Sequence, residues 1–117
     1  MTFRLTILPQ AKEDLRRNAA WWAENHSVEQ AARWLDAIQS QLESIMNSPE
    51  SYSLSAENDE FPYEIRDKLL GLGTRPSHRA VFTIKDDTIF VLTVQRSAQD
   101  VLRPSDVESP PGRKPNN

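Results

Sequence analysis

The chain contains no cysteine, so disulfides, thiolate catalysis and Cys-ligated metals are excluded. It also lacks any long apolar run that would suit a membrane helix. The amino terminus, Met1 to Pro9, has neither a basic stretch nor an apolar core of the kind a signal peptide needs, and a cytoplasmic location is expected. Basic excess is missing too: 14 Lys and Arg stand against 17 Asp and Glu. A protein that grips nucleic acid through its phosphates normally carries a clear positive surplus, so direct binding of free DNA is not expected. With 38% hydrophobic residues among 117, the chain suits one compact domain with a modest core.

Charge is unevenly spread. Residues 48–62 hold no base against Glu50, Glu57, Asp59 and Glu60, and read as a solubilising loop without the spacing of a calcium site. Residues 63–102 hold Arg66, Lys68, Arg75, Arg79, Lys85 and Arg96 against five acids. Any basic site must therefore be local. His26 and His78 have no acidic companions at ligand spacing, so neither a metal nor another cofactor is expected.

Alternation predicts a first strand over residues 3–8, ended by Pro9. Ala11, Leu15, Ala19 and Trp22 then recur at helical spacing over residues 10–25. Ser27 with Gln30 forms a capping box for a second helix, whose stripe of Ala31, Leu35, Ile38, Leu42 and Ile45 runs to Asn47-Ser48-Pro49. The two make an antiparallel helical hairpin that must bury its stripes against a sheet. Residues 63–70 read as a second strand.

Two β-branched and aromatic runs flank Asp86-Asp87 and predict a β-hairpin that is apolar on both faces, hence central in its sheet. A two-residue turn pairs Ile84 with Ile89, Phe82 with Val91 and Arg79 with Val94. Arg79, Val81, Thr83, Phe90, Leu92, Val94 and Arg96 then share one face, with the two arginines side by side. The helices can cover only one face, so this one is expected to need a further cover. Residues 103–117 hold four of the eight prolines and read as a disordered tail after a domain of residues 1–102. The expected fold is α+β with order β-α-α-β-β-β, a small twisted and mainly antiparallel sheet backed by the two-helix hairpin.

In element order and spacing over residues 3–102 the chain resembles the RelE/ParE superfamily of toxins from type II toxin–antitoxin modules, which includes plasmid stabilisation proteins. The resemblance rests on the first strand, Ala11 with Asp14-Leu15, the long second helix ending at Ser48-Pro49, Tyr63 to Arg66, His78 to Phe82, and Thr93 to Leu102. It implies a cognate antitoxin that wraps the toxin, often over the sheet face.

Two activities are known in that superfamily. RelE-like members cut messenger RNA at the ribosome with a basic cluster and no metal; Arg66, Arg79 and Arg96 match such positions, with His78 as a possible general acid. However, Glu64 stands where those nucleases carry a base, and Leu102 lies in the region of their late tyrosine. ParE-like members poison DNA gyrase by binding and have longer helices, which the segments bearing Trp21, Trp22 and Trp34 match better. The resemblance thus implies a ParE-like toxin, with a ribosome-dependent endonuclease, or a non-toxic binding module on the same fold, as alternatives. Candidate antitoxin or target contacts are Arg79, Arg96, Arg66, Lys68, Phe90, Leu92 and Trp21. Taken singly, Arg66, Lys68, Arg79 and Arg96 read better as solvated rim residues paired with Glu64, Asp67 and Asp100; taken together on an uncovered sheet face they read equally as a site for an anion or an acidic partner.

Overall fold

The computed structural model describes residues 2–73, 76–96 and 101–111. The chain runs through β1 (Arg4–Ile7), α1 (Pro9–Asn25), α2 (Val28–Glu43), β2 (Arg66–Leu70), β3 (His78–Lys85) and β4 (Thr88–Arg96). Short 3-10 turns lie at Ser44–Asn47, Pro49–Ser51, Asn58–Glu60 and Pro104–Asp106. This is the expected α+β order. The sheet is ordered β1-β4-β3-β2, with β1 parallel to β4 and the other pairs antiparallel. The doubly apolar hairpin strands do lie in the centre.

Local chemistry accounts for the helices. Pro9 occupies the first turn of α1, where its missing N–H costs nothing. The Ser27 hydroxyl accepts the Gln30 backbone N–H at 3.0 Å and caps α2. The α-helical part of that stripe ends at Glu43; Ile45 stays buried because the chain tightens into a 3-10 turn. Ala11, Leu15, Trp34, Ile38, Leu42 and Ile45 pack against Leu70, Ala80, Phe82, Ile89, Val91 and Val94 on the helix side of the sheet. Gln41 anchors α2 to the chain after β2, donating to the Gly71 carbonyl at 2.8 Å and accepting its N–H at 3.1 Å.

In three places the structure departs from the sequence expectation. The second strand begins at Arg66, not Tyr63: the Ile65 N–H is taken by the Asn58 side chain at 2.8 Å and its carbonyl by Ser55 at 2.8 Å, so these groups serve the loop.

The hairpin register also changes. Ile84 pairs with Ile89 and Phe82 with Val91 as expected, but a bulge between Val81 and Phe82 makes Val81 face Thr93 and Arg79 face Gln95. One additional residue on β4 reverses the facing of everything beyond it. Val94 consequently packs under the helices, and Arg96 pairs with His78 on that side. Arg79 and Arg96 are not neighbours; the sheet lies between them.

The second sheet face, finally, is covered by the chain itself. Leu8, Phe61, Ile65 and Leu102 pack over Val81, Phe90 and Leu92, with Tyr63 and Val107 at the margin. Leu92 is fully buried and Phe90 nearly so. Part of the presumed tail thus belongs to the fold, because Leu102 and Val107 have apolar surface to bury and Asp106 accepts the Arg103 N–H at 2.8 Å. The rest of the tail expectation, residues 112–117, lies outside the described residues, as do Ser97 to Asp100.

Candidate functional site

The candidate basic residues fall into separate environments. Arg79 is the most confined, with only 10% of its side chain exposed. Its Nη1 donates to Glu57 Oε1 at 3.0 Å and Asp67 Oδ2 at 2.9 Å, and its Nη2 to Glu57 Oε2 at 2.5 Å. With the Gln95 amide oxygen turned toward it, Nη2 and Nε donate there at 2.6 and 3.0 Å. A guanidinium has five N–H groups, and each of these has an acceptor inside the chain. Glu57 also accepts the Leu102 N–H at 2.9 Å. The hydrogen bonds from Arg79 hold the Glu57 carboxyl down at about 2, against the opposing effect of burial.

Glu57 is therefore not a solubilising loop acid. It ties the loop, the sheet and the segment at Leu102 together. In sequence it looks like Asp59 and Glu60; only the 3-10 turn that begins at Asn58 and the bond from Leu102 distinguish it.

Arg66 shares the helix-side facing of Phe82, its cross-strand partner. Its Nη1 donates to the Tyr52 carbonyl at 2.6 Å, and Glu64 lies 3.7 Å from Nη2. Lys68 meets the Tyr52 hydroxyl at 3.3 Å and sits 5.0 Å from that ring's centre. Tyr52 itself packs edge-on against Phe82.

His78 is buried on the helix side, away from Arg79. Asn18 donates its amide N–H to the Asp14 carbonyl at 2.7 Å, which turns its side-chain oxygen toward His78 Nε2 at 3.1 Å. Nε2 thus carries the ring proton, and Nδ1 accepts from the Ser77 hydroxyl at 2.7 Å. Burial, then the nearby charge of Arg96, lowers the imidazole's proton affinity. His78 is held neutral in the helix–sheet seam, with Trp34 edge-on against it. The role beside Arg79 that its sequence position invited is closed by the alternation of the strand.

Asp14, quoted above only as part of a resemblance, is a structural centre. It is buried in α1, accepts from Thr93 Oγ1 at 2.6 Å and the Val94 N–H at 3.0 Å, and also meets Gln10 and Arg17. Its carboxylate fastens α1 to β4 beyond the end of β1.

Of the apolar candidates, Phe90 and Leu92 are interior, whereas Trp21 is 46% exposed. Trp21, Trp22 and His26 form an aromatic group at the end of α1, with ring centres 4.6 to 5.6 Å apart. The structure thus brings no two of Arg66, Arg79 and Arg96 to one anion-binding point. Among the described residues no group of three or more His, Asp or Glu side chains is arranged to hold a metal. None of the described helices is long and apolar enough to cross a membrane.

A family model described as the ParE toxin of type II toxin–antitoxin systems, parDE, matches residues 5–101. Among solved structures, the chain is similar to one from the chromosomal ParDE toxin–antitoxin system of P. aeruginosa, with a TM-score of 0.67 and 19% identity. The match covers 81% of this chain and 96% of the other. No curated protein sequence gives a significant match.

Proposed function

The chain belongs to the ParE toxin family of type II toxin–antitoxin systems, and from that premise we propose that it arrests growth in the cytoplasm by binding DNA gyrase, without chemistry of its own, until a cognate antitoxin neutralises it. The observation that carries the reading is the closed shell around Arg79. Cleaving RNA without a metal requires cationic donors directed at the phosphate and the developing charge. Arg79 has no N–H left to give, Arg66 is engaged by a backbone carbonyl, and Arg96 lies across the sheet from Arg79. Glu64 and Leu102 replace two further positions at which the nucleases carry functional groups.

In vitro translation followed by primer extension tests the absence of chemistry. Intact message at toxin concentrations that block gyrase supercoiling is expected. Cleavage within codons on the ribosome would replace this reading with the endonuclease one.

A further inference from the structure

His78 opens β3 where the two helices and the central strands meet. It pairs across the sheet with Leu70 on one side and Arg96 on the other. α1 reaches it through Asn18 at 3.1 Å, and α2 through the Trp34 ring, 5.6 Å away between ring centres. The imidazole also lines a cleft of about 860 Å³ between α1 and the segment at Val101-Leu102, with Asn18, Ser77 and Arg96 beside it. Solvent protons thus have a route to a residue that is itself only 6% exposed.

The hydrogen bonds around the ring match its neutral form. The Asp14 carbonyl turns the Asn18 amide so that its oxygen accepts from Nε2, and the Ser77 hydroxyl donates to Nδ1. A second ring proton would sit on Nδ1 and force that hydroxyl to turn. It would also put a full charge beside Trp34 and Leu70, each 1% exposed. The charged groups of the cleft offer no relief. Arg96 is a like charge and opposes protonation, and Arg17 is a second cation. Asp14 is held by Thr93, the Val94 N–H and Arg17, and Asp106 by the Arg103 N–H. Among the described residues no acid forms an ion pair with His78.

We propose that His78 is an acid-sensitive fastener: neutral, it joins α1 to β3 through Asn18, and protonated, it loosens the helix–sheet seam as pH falls from about 7 toward about 5. Burial, then Arg96, lowers its proton affinity in the folded state below the ordinary value of 6.5. The unfolded chain therefore takes up the proton first. The contribution of His78 is complete well above 6.5 and is lost progressively as pH falls from there toward the folded-state value. Glu57, whose carboxyl is held at about 2, stays charged throughout this window. The proposal does not depend on the gyrase reading.

Two measurements on the full-length chain test it. In denaturant unfolding at about pH 7.5 and about pH 5.5, the folded-to-unfolded ratio of the wild type should drop severalfold more than that of His78→Gln, with about tenfold as the ceiling for one proton. His26→Gln, which removes the exposed imidazole after α1, should keep the wild-type drop. An equal drop in the wild type and His78→Gln, or loss of the drop in His26→Gln alone, would overturn the proposal. Magnetic resonance titration of the native chain should find His78 neutral, with its proton on Nε2, at pH values below 6.5. Protonation of native His78 at or above 6.5 would overturn it as well, and this titration decides the matter if His78→Gln does not fold.

Discussion

A guanidinium as enclosed as that of Arg79 is stable only when its donors are matched, and Glu57, Asp67 and Gln95 supply the match. Glu57→Gln leaves that cation buried with half its strongest partner neutralised, and should cost about 3–5 kcal/mol in denaturant unfolding. Arg79→Met together with Glu57→Leu should recover much of the loss, since well-packed apolar pairs replace buried ion pairs at little cost. The same pair sets an acid limit. The Glu57 carboxyl is depressed in the folded state, so its contribution is present in full above about pH 4.5 and is lost as pH falls toward about 2. Acid unfolding of the wild type over that window should be steeper than that of Glu57→Gln; equal slopes would show that the pair does not control it. Asp67 was among the partners the sequence offered for Arg79, but the part played by Glu57 was not legible there. Arg79 and its acid are 22 residues apart, and an acid in a polar loop gives no sign that its loop folds back over a sheet.

At the scale of elements, features set by neighbouring residues could be read directly. Pro9, the Ser27–Gln30 cap and the stripe from Ala31 to Ile45 each act within a few residues, and each is found where the pattern puts it. Ser27→Ala should therefore cost about 1 kcal/mol and lower the thermal midpoint by a few degrees. No change in a melting curve would show that α2 is held by packing alone. The bulge on β4 was not readable, because no glycine or proline marks it among Phe90 to Val94. Pairing was right on the turn side of the bulge and wrong beyond it. That single residue separates Arg79 from Arg96 and places Arg96 at the cleft rather than beside Arg79.

As a whole molecule, the sheet is sandwiched: helices cover one side, and the residues from Ser55 to Ile65 with Leu102 and Val107 cover the other. The sequence showed that the second face needed a cover but not that the chain supplies it, since the covering residues lie in segments without periodicity. Leu102→Ala should cost about 2–4 kcal/mol by opening a cavity over Phe90 and Leu92. The loss would appear as a lower denaturant midpoint with increased binding of a hydrophobic dye; an unaltered midpoint would mean that the cover is dispensable. Among the described residues, the cleft beside α1 and the aromatic group at the end of that helix carry exposed surface on this side of the molecule. The measurement that bears most directly on the account is DNA supercoiling by purified gyrase with increasing toxin. Dose-dependent inhibition that is reversed by antitoxin is the predicted result; undiminished supercoiling in excess folded toxin would contradict it.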